Sequence, residues 1–265
     1  MFGVVPKVLW EPKIKADELN RVPLAMRTLV AIDTEARRVV LVDTGAGQKW
    51  PADQARRFAI QPYPNALAEA LAPYGLTEAD VTDIVITHLH FDHNGGLTEW
   101  EDRPAGTTRL RFPQARHWIH EKHWQHATAP TEKDRASFLE RDLEALARPN
   151  VLSFVTTDSP PPPFEGMRWH LSHGHTPYQL LPVFEGRPGD LLFASDTIPT
   201  VHHLAVPWVM AYDLQPLAAI EEKRGIYRRC NREGLALAFP HDPELGGVGV
   251  ELADGKPVVS KTLDM

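Results

Sequence analysis

Short apolar runs alternate with amphipathic stretches along most of the chain, and this alternation predicts a mixed α/β protein. Two β-branched runs, LAMRTLVAID (24–33) and RRVVLVDTGAG (37–47), flank the polar stretch TEARR, as expected for a hairpin. Further short runs predict strands at residues 83–87, 115–120, 180–184, 190–195, 235–239 and 247–252.

Three stretches carry apolar residues at helical spacing, and they predict helices at residues 65–75, 131–147 and 213–234. Thr131 and Asp213 are the expected N-caps, and Gly75 and Gly234 are stop signals. The order of strands and helices occurs twice, which predicts two similar layers with sheets covered by helices. The segment SPPPPF (159–164) is predicted to be an extended, rigid crossing within a single domain of residues 1–265. Residues 1–24 have no regular period and are predicted to form an N-terminal arm.

Composition and charge narrow the range of partners and cellular locations that the chain can have. The formal net charge of -7 over 265 residues argues against a nucleic-acid partner. Cys230 is the one cysteine, so an intrachain disulfide is excluded and a reducing compartment is favoured. The N-terminus lacks the pattern of a signal peptide, and no apolar run approaches the roughly 20 residues of a membrane span. We therefore expect a cytoplasmic protein without a membrane partner.

The stretch VITHLHFDHNGG (85–96) places His88, His90, Asp92 and His93 directly behind an apolar run. Neutral imidazole and carboxylate are ligands of borderline metals such as Zn²⁺. If the strand continues, His88 and His90 point to the same side, whereas the adjacent Asp92 and His93 cannot easily reach the same ion. A solvated polar loop would not need four ligand-type residues here, so the stretch predicts two neighbouring ions.

Further ligand-type residues follow three other strand-like runs: His173 and His175, then Asp196, then His241 and Asp242. A carboxylate placed between two ions can bridge them, and Asp196 is predicted to do so.

The elements THLHFDHNGG, GHTP, ASDT and FPHD, in this order and with VDTGAG upstream, resemble the metallo-β-lactamase superfamily over residues 25–250. The stretches MFGVVPKVLWE and HHLAVPWVMAYDLQPL resemble its quorum-quenching lactonase-like branch. The resemblance implies an αββα sandwich with a dinuclear metal site at one edge. It implies one ion on His88, His90 and His175, a second ion on Asp92, His93 and His241, and Asp196 bridging both. Asp43 is similar to a carboxylate that orients ligands near such a site.

The expected function is a dinuclear metal-dependent hydrolase that opens acyl-homoserine-type lactones or related esters by attack of a metal-bound hydroxide. The cofactor is expected to be two divalent ions, Zn first, with Fe, Mn or Co as alternatives. Asp92 is either a ligand only or also the catalytic proton shuttle. The partner is a small-molecule lactone or ester, and a homodimer is left open.

Alternatives are a glyoxalase II-like thioester hydrolase, which no domain after His241 supports, and a phosphotriesterase-type hydrolase. A nuclease is disfavoured by the charge, and bound-metal analysis would separate a mononuclear iron dioxygenase. The position of Asp196, where zinc β-lactamases carry cysteine, disfavours β-lactam hydrolysis. Thr197, Ile198 and Pro199 stand where related lactonases place a tyrosine, so a phenolic oxyanion donor is missing there.

Two remaining stretches bear on the site. HWIHEKHWQH spaces His117, His120, His123 and His126 by three, which cannot present all four to one ion and predicts a surface or pocket-rim segment. The apolar stretch 198–212 is predicted to form a wall for an acyl chain.

Overall fold

The computed structural model describes residues 1–61, 63–158, 161, 163–186 and 189–264. The chain forms two compact units. We call Thr28–Thr156 the central unit, and Met1–Arg27 with Thr157–Met265 the terminal unit. Ser159, Pro160 and Pro162 of the predicted crossing lie outside the described residues, and the single domain stays a prediction.

The described strands are β1 (Leu29–Asp33), β2 (Arg38–Val42), β3 (Asp83–Val85), β4 (Thr98–Asp102), β5 (Thr107–Leu110), β6 (Arg116–His120), β7 (Leu152–Val155), β8 (Met167–Ser172), β9 (Gln179–Phe184), β10 (Leu191–Phe193), β11 (Ala236–Ala238), β12 (Gly247–Ala253) and β13 (Lys256–Leu263). The described α-helices are α1 (Lys7–Trp10), α2 (Ala52–Phe58), α3 (Ala66–Leu71), α4 (Phe91–Asn94), α5 (Glu121–Thr128), α6 (Glu140–Leu143) and α7 (Pro216–Glu233). The strand predictions are confirmed within a few residues at each end.

The central unit is built on a five-stranded sheet in the order β1-β2-β3-β6-β7. The β1–β2 hairpin is antiparallel, as predicted, and β2, β3, β6 and β7 are parallel. Because parallel strands are covered on both faces, β3 is buried throughout. The carboxyl ends of β2 and β3 lie side by side, and the first histidine motif begins just beyond that edge.

The terminal unit is built on a six-stranded sheet in the order β13-β12-β11-β10-β9-β8. Helix α7 buries Ile226, Tyr227 and Cys230 in the apolar core of this unit. Residues 1–24 add no strand to the sheet. Instead Phe2 and Trp10 pack with Trp208 in a separate apolar cluster, and Phe2 makes an isolated bridge with Met210.

The predicted helix at residues 131–147 is wrong as a single element. The chain forms a short 3₁₀ turn at Arg135–Ser137 and then α6, separated by extended backbone at Phe138 and Leu139. Phe138 is buried in the core of the central unit. Burial of this ring overrides the helical propensity of the stretch, and Thr131 is not a helix cap.

The predicted N-cap of the last long helix is also wrong, because α7 begins at Pro216 after Gln215. Asp213 instead accepts the Met210 amide at 2.9 Å and contacts His175. The predicted stop is confirmed, since Gly234 ends the helix with φ of 70°. No helix among the described residues is long and apolar enough to cross a membrane.

A buried ion pair holds the loop that follows the first histidine motif. Lys49 lies 3.1 Å from Asp142 and donates to the carbonyls of Gly95 at 2.5 Å and Thr98 at 2.6 Å. Burial lowers the pKa of Lys49 and raises the pKa of Asp142, while the charge of each partner opposes these shifts. Burying either charge costs desolvation energy, and the opposite charge of the partner offsets part of that cost. Each charged group is therefore stabilised by the other.

Removing one residue of the Lys49–Asp142 pair should therefore lower the free energy of unfolding more than removing both. Lys49→Met should lower the free energy of unfolding by about 3–5 kcal/mol, because Asp142 is left as an uncompensated buried charge. Adding Asp142→Leu should recover a large part of that loss. Urea unfolding of the metal-free chain measures both, with the exposed Lys261→Met as control. A single variant that loses less than about 1 kcal/mol would contradict the argument.

Candidate metal centre

Asp43 ties together the ends of the neighbouring strands β2 and β3. It follows β2 with φ of 57°, and its two carboxylate oxygens accept the Thr87 amide and the Thr87 hydroxyl, each at 2.8 Å. A non-glycine residue rarely adopts a positive φ, and the two hydrogen bonds explain why Asp43 keeps it. The segment after β3 therefore starts from a fixed point.

His88 and His90 lie next to each other in the central unit and are buried. The Thr87 hydroxyl gives its proton to Asp43, so its oxygen accepts from His88 Nδ1, 3.0 Å away. His88 thereby presents Nε2, which lies 3.1 Å from His90 Nδ1. Two nitrogens on a tetrahedral Zn²⁺, each at about 2.0–2.1 Å, would lie about 3.3 Å apart. This pair fits a shared ion.

Asp92 and His93 lie on the short helix α4. His93 Nδ1 donates to Asp43 at 2.9 Å, which aims Nε2 away from Asp43, and this Nε2 lies 4.0 Å from Asp92 Oδ1. His93 is buried, whereas the Asp92 side chain is 20% exposed. The two residues offer a second pair of donor atoms, a nitrogen and an oxygen.

The glycine pair behind α4 allows the backbone to approach closely. A Cβ at Gly95 would lie 2.3 Å from the Ala46 carbonyl oxygen, and a Cβ at Gly96 would lie 2.4 Å from that of Thr44. Neither position could hold a larger residue without moving the backbone. The glycine pair thus lets the backbone pass close behind the first histidine motif.

The terminal unit brings His175, Asp196 and His241 together. Asp196 Oδ2 lies 3.2 Å from His175 Nε2, and Asp196 Oδ1 lies 3.0 Å from His241 Nε2. All three side chains are buried. One carboxylate thus faces two different imidazoles through its two oxygens.

Both imidazoles are held at their other nitrogen. His175 Nδ1 donates to Asp213 at 2.9 Å, and His241 Nδ1 donates to the Ala25 carbonyl at 2.8 Å. With the proton on Nδ1, each neutral ring turns an Nε2 lone pair toward Asp196. Lone pairs facing a carboxylate repel, and a cation beside each imidazole would relieve this repulsion.

Two orienting carboxylates in the terminal unit were not predicted. Asp213 was assigned to a helix cap, and Glu222 was not singled out. Glu222 accepts from the Ser172 hydroxyl and the His173 amide, each at 2.7 Å, and from the Gly174 amide at 3.2 Å. It thereby holds the loop that carries His175. Nothing in the local sequence distinguishes these two acids from ordinary helix residues.

The donor set suits a divalent metal. Imidazole nitrogens and carboxylate oxygens are the ligands of Zn²⁺, Fe, Mn and Co ions, and partners on the far ring nitrogens are typical of metal-bound histidines. Cys230 lies on α7 and is buried in the core of the terminal unit, and burial raises the pKa of its thiol to about 12. It is therefore not a thiolate ligand.

Other predicted ligand-type residues have structural roles. Asp242 accepts the amides of Glu244, Leu245 and Val201 and so holds a turn. His173 accepts the Tyr178 amide at 3.2 Å.

The predicted acyl-chain wall at residues 198–212 stays a prediction: Val201, Val206 and Trp208 are partly exposed, but other apolar side chains of the stretch are buried. Ile198 and Leu204 are buried in the core of the terminal unit, because they pack against α7 and its sheet. Met210 is buried where Phe2 bridges to it. These side chains are committed to the interior and offer no free wall.

In the stretch at residues 117–126, predicted to be a surface or pocket-rim segment, most of the histidines do not lie on the surface. His117, His120 and His123 are buried, since the chain passes here from β6 into α5 against the core. Only His126 is partly exposed, and it pairs with Asp134 at 2.6 Å. Among the described residues, these four do not form a cluster of close ligand atoms, which agrees with the sequence argument.

Comparison with known proteins identifies the family to which the chain is similar. The family model of the metallo-beta-lactamase superfamily matches residues 28–245. The N-acyl homoserine lactonase AttM of Azorhizobium caulinodans is 25% identical over 176 residues, which is 64% of this chain and 61% of AttM. The match thus spans less than two thirds of that curated relative.

Solved structures are similar over more of the chain. A protein described as a probable metal-dependent hydrolase from Staphylococcus aureus has a TM-score of 0.83 at 27% identity, covering 100% of this chain and 92% of its own. AidC, described as a dizinc quorum-quenching lactonase, has a TM-score of 0.71 at 18% identity, covering 91% and 81%. At that identity, the second likeness is one of fold alone.

The resemblance predicted from the motifs, including the lactonase-like relatives, and the predicted fold class are confirmed by these matches. Since the family model covers most of the chain and includes every predicted ligand, this protein belongs to the metallo-β-lactamase superfamily.

Proposed function

We propose that this protein is a metal-dependent hydrolase that opens lactones or related esters at a dinuclear centre. As the family resemblance implies, the proposed ligands are His88, His90, Asp92, His93, His175, Asp196 and His241. The observation that carries the proposal is the arrangement of Asp196, whose two oxygens face the Nε2 atoms of His175 and His241.

This arrangement favours two ions over one. The two oxygens of a single carboxylate point in different directions, and each meets a different imidazole held from behind. A carboxylate that bridges two ions has this geometry. His88 with His90 and Asp92 with His93 supply the remaining donors for one ion each, as the family resemblance implies. Superfamily membership and the lactonase relatives support the same assignment.

When bound, two divalent ions would polarise a carbonyl and bring the pKa of a coordinated water to about 7. Zn²⁺ is the first candidate for this donor set, with Fe, Mn or Co as alternatives.

Asp92 is the residue that we assign to proton transfer. Its side chain is partly exposed, in contrast to the buried Asp196 and Asp43. A carboxylate oxygen that solvent and substrate can reach is able to accept the proton lost by water and return it to the leaving oxygen. Asp196 and Asp43 are each engaged by two or more partners and hold other groups in place.

No side chain at residues 197–199 replaces the missing tyrosine. The Thr197 hydroxyl is buried and donates to Ser172 at 2.8 Å, with Gln179 at 3.2 Å. Ile198 is in the core, and Pro199 has no amide hydrogen. These three positions therefore supply no side-chain donor for the developing oxyanion, which leaves its stabilisation to the ions or to another group of the site.

An aromatic cluster around Phe91, the residue before Asp92 in the chain, favours an apolar substrate. Phe91 precedes Asp92 on α4, and its ring lies 5.1 Å from Trp50 and 5.9 Å from Phe58. Phe58 is about half exposed, and the other two rings are partly exposed. Apolar surface next to polar reacting groups is typical of small-molecule sites. The acidic net charge disfavours polyanionic substrates.

The purified chain should hold two equivalents of divalent metal. The physical reason is the set of seven donors, which exceeds what one tetrahedral ion takes. Elemental analysis of protein prepared without added metal, and again after supplementation with Zn²⁺, measures the content. A reproducible single equivalent under both conditions would rule out the dinuclear centre.

Asp196→Ala should lose more activity than Asp92→Asn, by at least about tenfold in kcat/KM, or about 1.4 kcal/mol. The alanine removes both oxygens that face two imidazoles, whereas the asparagine keeps one ligating oxygen. Metal content is measured on both variants, with the exposed Glu251→Ala as control. An alanine variant with two metals and near-normal turnover would contradict the role of Asp196.

Among candidate substrates, a lactone should give the highest kcat/KM, and the value should rise with acyl length because apolar surface is buried. The panel comprises acyl-homoserine lactones, simple γ- and δ-lactones, aryl esters, a thioester, phosphotriesters and a cephalosporin. If the thioester or a phosphotriester leads by tenfold, about 1.4 kcal/mol of transition-state preference, the lactonase assignment is wrong.

A further inference from the structure

His123 is a buried imidazole that contacts the backbone between two proposed ligands. It lies on α5, is fully buried, and its Nε2 accepts the Leu89 amide at 2.9 Å. Leu89 is the residue between His88 and His90. The proposed function assigns no role to this histidine.

The hydrogen bond determines which tautomer is present. A backbone N–H can only donate, so His123 Nε2 must carry a lone pair and the ring proton must lie on Nδ1. Leu89 follows the end of β3 and is itself fully buried. Without His123, its amide would lose this acceptor inside the protein, which is unfavourable.

The ring also packs on the ligand segment. The His123 ring centroid lies 6.2 Å from that of His88, edge to face, and 6.1 Å from that of Phe138. Phe138 in turn lies 4.9 Å from the ring of His90. The peptide between the ligands is therefore held by a hydrogen bond, and both ligand rings are held by packing.

We propose that His123 is a positioning residue for the metal ligands His88 and His90. It acts through the Leu89 amide, which sets the orientation of the peptide that joins the two ligands and hence the spacing of His88 Nε2 and His90 Nδ1. It has no direct role in the reaction. The proposal rests on the proposed function, because it takes these two histidines as ligands.

The decisive comparison uses three full-length variants. His123→Leu removes the acceptor and keeps an apolar filler, His123→Gln restores an acceptor oxygen, and His126→Gln is a matched control one turn along the same helix. His126 pairs with Asp134 and has no hydrogen bond to the ligand segment among those described. Zn²⁺ affinity of the metal-free proteins is measured by competition with a chromophoric chelator, alongside thermal unfolding.

We expect Zn²⁺ binding by His123→Leu to weaken about 10–100-fold, as is typical when a partner of a metal ligand is lost. His123→Gln should recover most of that affinity, and His126→Gln should bind like the unaltered chain even if its Tm falls. A purely structural role would lower the Tm of both positions and leave affinity unchanged. Equal affinity in His123→Leu and His126→Gln, or no recovery in His123→Gln, would overturn the proposal.

A second measurement does not depend on the leucine variant folding. Nitrogen-15 spectra of the unaltered metal-free chain should show the His123 proton on Nδ1, and a proton on Nε2 would overturn the proposal. The Zn²⁺ affinity and the substrate panel test the role of His123 and the proposed activity separately. If the protein binds Zn²⁺ but hydrolyses nothing in the substrate panel, the proposed activity fails while the role of His123 is still decided by affinity.

Discussion

Hydrogen bonds on the far ring nitrogens of the proposed ligands His93, His175 and His241 are the interactions on which the proposed site depends. Asp43 holds His93, Asp213 holds His175, and the Ala25 carbonyl holds His241. A neutral imidazole has one donor and one acceptor nitrogen, so occupying Nδ1 as the donor leaves Nε2 as the metal-facing lone pair. Each partner therefore sets both the direction and the tautomer of its ligand.

The need to hold each ligand in one orientation explains several buried polar groups that would otherwise be energetically unfavourable. Buried polar groups must be paired, and the ligand loops of both units are fastened by side chains that accept or donate several hydrogen bonds at once. Lys49 does this after α4, and Glu222 does it before His175. Close backbone approach requires glycine in both places, since a Cβ at Gly174 would lie 2.5 Å from Ala219. The loops are thus held in place by hydrogen bonds and close backbone packing.

The pairing and packing of buried side chains also limit which residues can recognise a substrate. Thr197 and Ile198, which follow the proposed bridging Asp196, are taken up by a hydrogen-bond pair and by the core. Neither is available to a substrate oxygen or an acyl chain. The aromatic cluster of Trp50, Phe58 and Phe91 provides partly exposed apolar surface instead. The proposed preference for apolar lactones or esters follows because these aromatic rings are partly exposed, whereas Thr197 and Ile198 are buried and already have partners.

Local pattern alone predicted the strands β1, β2, β3, β6, β9, β10, β11 and β12, the β1–β2 hairpin, the Gly234 stop and the candidate ligands. These features depend on residues close together in the chain: period-two alternation, turn residues, and four ligand-type side chains in six positions. The composition also excluded a disulfide, because Cys230 has no partner cysteine. The αββα class came from the order of whole motifs, which the family match confirmed.

Only the tertiary structure decided which polar residues support the ligands. Asp213 reaches His175 across 38 positions, and His123 reaches Leu89 across 34. Asp213 looked like a helix cap and the His123 stretch like surface, because local propensity cannot see a partner that distant in sequence. Burial of Phe138 likewise broke a helix that spacing predicted, since packing a large ring against the core outweighs the small helical preferences of the surrounding residues.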